Sequence, residues 1–242
     1  MINKLEEIVR KVGQEIINSR EKDLHRIELK KDKSPLTRAD KLSSKLLTDY
    51  LKNILDIPVL SEEAVIAYDV RKHWDFYWMI DPLDGTKEFI NGYDDFCINI
   101  ALINNNQPYL GVIFAPLLNE FYVGGVETKF QYLGPTIPVQ KSEQNISVVT
   151  SRFHKSTFME HYIQAHQVNN VVEIGSAIKF GRVALGEFSL YPRFQGSYEW
   201  DTAAGQAIIK ASGGKIIDLI TCKELVYNKQ DLRNNFFIAY NE

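Results

Sequence analysis

The chain is poor in cysteine, with only Cys97 in an apolar run and Cys222 far from it in the sequence. That excludes a disulfide framework and a cysteine-built zinc site, and favours a reducing, cytoplasmic setting. It also lacks any excess of positive charge. The 28 basic and 31 acidic residues are interspersed and sum to −3, so no broad basic face is available for nonspecific nucleic-acid binding. An anionic ligand must therefore be met locally. No apolar run approaches the roughly 18 residues of a membrane span. The opening Met1-Ile2-Asn3-Lys4-Leu5-Glu6-Glu7 carries acids where a secretion signal is apolar, so neither an integral span nor secretion is expected. Internal repeats and low-complexity segments are missing too. What remains is a chain of 242 residues, 45% hydrophobic, able to bury a full core as one large domain or two closely packed halves.

The stretch that organises the rest is Trp78-Met79-Ile80-Asp81-Pro82-Leu83-Asp84-Gly85-Thr86-Lys87-Glu88-Phe89. The run from Phe76 to Ile80 predicts a buried strand that delivers Asp81 to its C-terminal edge, where Pro82 is expected to stop it. Asp84 follows in a tight Pro/Gly turn, where two carboxylates can converge on one cavity. Converging acids repel unless a cation lies between them. Thr86 reads as an N-cap for the helix starting Lys87-Glu88-Phe89-Ile90, and the first amides of such a helix face an incoming anion. A turn with no further role is the plain alternative. A phosphoaspartyl nucleophile of the haloacid-dehalogenase type fits less well, since its two acids lie two apart rather than three.

Around this stretch the pattern is regular. Ile2, Leu5, Ile8, Val9, Val12, Ile16 and Ile17 predict an amphipathic first helix, and a second follows a charged loop through Lys30 to Asp40, burying Leu42, Leu46, Leu47, Tyr50, Leu51, Ile54 and Leu55. Asp40 falls at that helix's start, as an N-cap or first-turn acid. Ile57 to Ser61 reads as a short strand closing on Glu62 and Glu63, the same design as at Asp81. Apolar runs 96–103, 109–115 and 120–125 predict an antiparallel meander. A softer stretch from Gly134 to Asn145 marks the expected boundary between halves 1–140 and 141–242. Beyond it strands at 146–150, 171–174, 188–191, 215–218 and 236–240 alternate with helices near 155–166, 176–185 and 200–211, a layered α/β pattern.

Glu62, Asp81, Asp84 and Asp201 all fall at element ends. Oxygen donors in that number suit Mg²⁺ rather than zinc. Two ions about 3.5 to 4 Å apart activate water and stabilise a leaving oxygen, the equipment of a phosphate-ester hydrolase. Asp201 opens a helix of small residues, Thr202-Ala203-Ala204-Gly205, that can sit close against a neighbour. Cations for the ligand come later: Lys179 one turn into a helix begun by Gly175-Ser176-Ala177, and Arg193 just past a strand, flanked by Tyr191 and Phe194. His154 lies at a strand-to-helix junction.

Taken together, Asp32-x-Ser34-Pro35-x-Thr37-x-x-Asp40, Leu60-Ser61-Glu62-Glu63, Asp81-Pro82-Leu83-Asp84-Gly85-Thr86-Lys87-Glu88-Phe89-Ile90, Gly175-Ser176-x-x-Lys179-Phe180, Leu190-Tyr191-Pro192-Arg193-Phe194 and Trp200-Asp201-Thr202-Ala203-Ala204-Gly205 resemble the inositol monophosphatase-like, metal-dependent, lithium-sensitive phosphatases over nearly the whole length. Lys87-Glu88-Phe89 and Tyr191-Pro192-Arg193 favour the bisphosphate-nucleotidase branch. The resemblance implies Mg²⁺, two or three ions, on Glu62, Asp81, the Leu83 carbonyl, Asp84 and Asp201. It implies that Thr86, with Asp40 or Asp32, orients the attacking water, Asp40 having a third, weaker ion as its alternative role. It also implies that the Gly85 and Thr86 amides would hold the transferred phosphate, while His154, Ser176, Lys179 and Arg193, beside Asp201, would hold the nucleotide. The chain departs from the pattern at Gln195-Gly196-Ser197, where many relatives carry Gly-Pro-Thr, and at Gln206, where relatives often carry His.

The expectation is an α/β protein with a layered αβαβα sugar-phosphatase fold, a meander in the first half and a mixed sheet in the second. The implied reaction is hydrolysis of adenosine 3′,5′-bisphosphate to AMP and phosphate, by direct attack of an activated water without a phosphoenzyme. An inositol or sugar monophosphatase is the alternative within the class, and a non-catalytic phosphate-ligand sensor the alternative outside it. A small phosphorylated nucleotide is the expected partner, not nucleic acid. A homodimer and peripheral attachment at the inner membrane stay open.

Overall fold

The computed structural model describes residues 1–23, 27–29, 35–138, 146–153 and 156–241. Helix α1 (Ile2–Asp23) is followed by the antiparallel pair β1 (Ile27–Leu29) and β2 (Pro35–Thr37), then by α2 (Arg38–Ile54). Next come β3 (Val59–Ser61), α3 (Tyr68–Arg71), β4 (Phe76–Asp84), α4 (Thr86–Ile90), β5 (Cys97–Asn104), β6 (Gln107–Ala115), β7 (Glu120–Gly125) and β8 (Thr128–Leu133). The remainder is β9 (Ser147–Thr150), α5 (Thr157–Ala165), β10 (Asn170–Glu173), α6 (Ile178–Ala184), β11 (Leu190–Arg193), β12 (Ser197–Tyr198), α7 (Glu199–Ala211), β13 (Lys215–Asp218), β14 (Arg233–Asn234) and β15 (Phe237–Tyr240).

Strand alternation sorts these elements into layers. In β4, Trp78 and Ile80 face α1 and α2, whose Leu5, Val9, Val12, Leu47 and Leu51 are fully buried against them. Tyr77 and Met79 face the other way, into a core shared with α6, α7 and the second sheet. Both faces are covered, which is why Phe76 to Ile80 reads as one apolar run rather than an alternation. The first sheet runs β3-β4-β5-β6-β7-β8, the expected meander with β3 added parallel to β4. The second, β10-β9-β11-β15-β13, is mixed. Its outer face carries α5 through Val148, Met159 and Val168. The order is helix, sheet, helix, sheet, helix, as the sequence predicts.

Three local expectations are corrected. Pro82 does not end β4. The strand continues to Asp84 through a register shift, Asp81 opposing Asn99 and Asp84 opposing Cys97, because a bulge absorbs the residue whose N–H proline lacks. The N-cap of α4 is Gly85, with φ +89°, and Thr86 is the first helical residue. Arg193 belongs to β11 rather than following it. Strand β8, which the sequence reading did not name, is the outer edge of the first sheet, with Phe130 and Tyr132 on its core side and the alternate residues exposed.

Helix α7 sets the geometry of the site. A side-chain carbon on Gly111 of β6 would fall 2.2 Å from the Ala204 carbonyl oxygen. The small residues of α7 thus let its backbone lie directly on the first sheet. That close seating carries Asp201, in the first turn, to the end of β4.

Candidate active site

The site forms where β3, β4 and α7 end together. β3 and β4 are parallel, with Ser61 beside Ile80, so the next residues, Glu62 and Asp81, emerge side by side. The Glu62 amide donates to the Ile80 carbonyl at 3.2 Å. The bulge after Asp81 cancels the strand's alternation and returns Asp84 to the same side. Asp84 Oδ2 is fixed by the Ala177 amide at 2.6 Å and Asn99 Nδ2 at 3.1 Å; its other oxygen takes neither bond. Asp201 is the third residue of α7, its Oδ2 accepting from the Tyr198 amide at 2.8 Å. Glu62, Asp81, Leu83, Asp84, Gly85, Thr86, Ser176, Lys179, Arg193 and Asp201 line one cavity of about 340 Å³, a size that suits a small ligand.

Electrostatics tie the acids together. Burial, then the charges of Glu62, Asp84 and Asp201, raise the Asp81 carboxyl well above the usual range. Burial, Asp84 and Glu62 push Asp201 up to about 8 against the opposing pull of the Tyr198 amide and Arg193. Among the described residues no three of these acids already close on one point as a finished shell. They share a wall and repel across it, and a divalent cation relieves that repulsion. The donors are carboxylate and carbonyl oxygen throughout, so a hard cation such as Mg²⁺ fits them.

Thr86 stands at the edge of this group. Its hydroxyl lies 3.2 Å from Asp40 Oδ1 and 3.2 Å from the Leu83 carbonyl. Asp40 is buried at the third position of α2, where its other oxygen accepts from the Thr37 amide at 2.7 Å within a capping box. The helix-start role and the contact with Thr86 therefore coexist in one carboxylate. Asp32 and His154, the other water-orienting and nucleotide candidates, lie outside the described residues.

The facing wall comes from the second sheet and the turn before α6. Half-buried Arg193 donates to Ser151 Oγ at 2.7 Å, to the Gly196 carbonyl at 3.1 Å and to the Gln195 carbonyl at 3.3 Å. The departure at Gln195-Gly196 thus serves as a main-chain cradle for the guanidinium. Gln206 of α7, the other departure, is buried, accepting from the Tyr227 hydroxyl and donating to the Leu225 carbonyl in the segment after β13. Lys179 is almost fully buried, and its ammonium is already engaged by the Ile174 and Ser176 carbonyls. It braces the turn before α6 as well as adding charge to the cavity. Sequence reading missed Asn99 and Ser151. The signal for Asn99 was a polar residue inside an apolar strand; nothing marked Ser151.

Five alternating layers around an acid-lined cavity define a phosphatase of the layered sugar-phosphatase class. The inositol monophosphatase family model matches residues 1–237, and the chain belongs to that family. It is similar to the 3′(2′),5′-bisphosphate nucleotidase CysQ of Escherichia coli (strain K12), 40% identical over 200 residues that cover 78% of each protein. The Haemophilus influenzae CysQ is 33% identical over 248 residues, covering 98% of this chain and 91% of that one. Among solved structures, CysQ from Bacteroides thetaiotaomicron, a bacterial member of the inositol monophosphatase family, superposes with a TM-score of 0.85 at 35% identity, covering 97% of this chain and 94% of the other. No helix among the described residues is long and apolar enough to cross a membrane.

Proposed function

We propose that the chain removes the 3′-phosphate of adenosine 3′,5′-bisphosphate, leaving AMP. The observation that carries the chemistry is the Thr86 hydroxyl poised between Asp40 and the Leu83 carbonyl at the rim of the acid group. The observation that carries the substrate is similarity to named bisphosphate nucleotidases over most of the chain.

Glu62, Asp81, the Leu83 carbonyl, Asp84 and Asp201 would hold two magnesium ions, with Asp40 near a third. Bound there, the cations supply charge that screens the acids from an incoming phosphate and makes water easier to deprotonate. Thr86 directs its own proton to Asp40, which leaves its oxygen lone pairs to accept a proton from the attacking water. Water oxygen then bonds to phosphorus as the bond to the 3′-oxygen breaks, the 3′-oxygen takes a proton from solvent to become the hydroxyl of AMP, and no protein group is phosphorylated. The Gly85 and Thr86 amides hold the transferred phosphate. Arg193 and Ser176, with Lys179 behind them, hold the rest of the nucleotide, and His154 is a further candidate by the family resemblance alone. Residues before about 140 thus supply most metal ligands, and those after it supply Asp201 and the clamp.

A magnesium-dependent phosphate-release panel on adenosine 3′,5′-bisphosphate, inositol 1-phosphate and fructose 1,6-bisphosphate tests this. The nucleotide should be turned over with the highest kcat/KM. Equal or better rates on the other two would make the chain an inositol or sugar monophosphatase, and no turnover of any would favour a phosphate-ligand sensor. Arg193→Ala should raise KM for the bisphosphate by roughly tenfold or more while changing kcat less, since a guanidinium on a non-reacting phosphate acts through uniform binding. An unchanged KM would remove Arg193 from the clamp.

A further inference from the structure

The two walls of the cavity come from different sheets, and something must hold them in register. Asp84 on the first sheet receives the Ala177 amide, and Arg193 on the second leans on Ser151. Both supporting residues lie in loops of the second sheet, Ser151 just after β9 and Ala177 just before α6.

A side chain from the first sheet's side reaches both loops. Asp95, nine-tenths buried in the connection between α4 and β5, meets Arg152 Nη1 at 2.7 Å with both carboxylate oxygens and accepts from the Gly175 amide at 2.6 Å through Oδ2. Arg152 is the residue after Ser151. Gly175 lies two before Ala177 and has no room for a side chain, because a carbon there would meet Glu88 at 2.5 Å and the Asp95 carbonyl at 2.6 Å. Arg152 also lies over the Tyr93 ring at 4.1 Å, and Tyr93 packs edge-on against Phe153. The bridge is therefore charged, bifurcated and walled by rings. Asp95 itself does not line the cavity.

We infer that Asp95 is a positioning residue. It fastens the loop after β9 and the turn before α6 to the α4–β5 connection, and so sets the distance between Arg193 on one wall and Asp84 on the other. Replacing Asp95 with asparagine keeps the shape but removes the charge and one of the two oxygens that meet Arg152, and puts an amide N–H against either Arg152 or Gly175. A sub-ångström drift of that wall reaches the Asp84 carboxylate through Ala177 and the guanidinium through Ser151. Misplacement of that size, far from the chemistry, can cost up to about 100-fold in rate.

This rests on the phosphatase reading, so variant-to-wild-type ratios are taken on whichever panel substrate the wild type turns over best, and amide hydrogen exchange is read in parallel. For Asp95→Asn we expect kcat/KM lowered by roughly 10- to 100-fold. The magnesium activation constant and KM should both rise, because the bridge serves both walls. The Gly175 and Ala177 amides should exchange faster while those of β5 and β6 do not. Arg152→Ala should act in the same direction, and the double variant should be no worse than the poorer single. Asp95→Glu should recover part of the loss. The idea is overturned if both single variants keep kcat, KM and the magnesium constant within twofold and Gly175 remains protected. Simple addition of the two losses in the double variant would also overturn it. Should Asp95→Asn fail to fold, Arg152→Ala decides by the same measures. Failure of the nucleotide alone in the panel changes the substrate and leaves these ratios and the exchange pattern readable.

Discussion

Asp84→Asn should abolish turnover to within the detection limit, a loss of at least about 1000-fold, because it removes charge from the acid group proposed to hold the cations. The substitution is nearly isosteric. The Asp84 oxygen facing the Ala177 amide and Asn99 can stay where it is, so the new amide N–H₂ turns into the cavity and offers a donor where an acceptor is needed. Folding should not suffer. Asp84 is one of the charges that raise Asp81 and Asp201, and its loss relieves repulsion inside a buried site.

The pH dependence gives this prediction a second reading. Asp201, pushed up to about 8 by burial first and then by Asp84 and Glu62, binds its proton more tightly when folded than when unfolded. Its contribution to stability is therefore full at low pH and is lost as pH rises from about 4 toward 8. With Asp84 neutral, Asp201 should ionise at lower pH and that loss should shrink. Thermal unfolding in a chelator-containing buffer from pH 5 to 9 should show a shallower decline for Asp84→Asn than for the wild type. Retained activity within tenfold, or an identical slope with pH, would take Asp84 out of the acid group.

Thr86→Val should lower kcat by roughly 100- to 10,000-fold while leaving KM within about threefold. Valine keeps the shape and loses only the hydroxyl that stands between Asp40 and the Leu83 carbonyl. Those two acceptors lose a donor at the rim of the cavity, a stability cost of about 1 kcal/mol. The magnesium activation constant should stay near the wild-type value, since Thr86 is not among the proposed ligands. That separates the two variants: one removes the proposed seat of the cation, the other the proposed route of the water's proton. A kcat within tenfold of wild type would mean that the proton leaves by another path.

How legible these parts were depended on the kind of signal each leaves. The long amphipathic helices and the meander were readable because burial imposes a period on the side chains, and α1 and β5 to β7 fall where the pattern puts them. The end of β4 was misread because proline usually stops a strand, and a bulge has no separate sequence mark. Spacing alone could place Asp40 at a helix start, and only the family resemblance paired it, or Asp32, with Thr86, since that contact joins residues 46 apart. Lys179 looked like a free point charge, whereas burial has already committed its ammonium to two carbonyls. Asp95 gave no warning at all, being one acid in a polar loop whose partners lie in the other sheet.

The sequence by itself determined the chemical inventory: oxygen donors at strand and helix ends, a hydroxyl one turn beyond them, cations kept for the second half, and the periodicities that stack five layers. Those properties are local, and local rules of periodicity, capping and donor chemistry suffice to read them. Only the tertiary structure decided which acids share a wall, which oxygen of each is spent on a backbone amide, and what keeps the two walls apart at a working distance. Such facts depend on how closely α7 lies on the first sheet and on hydrogen bonds between segments far apart in the chain, where neither spacing nor composition carries any trace of the contact.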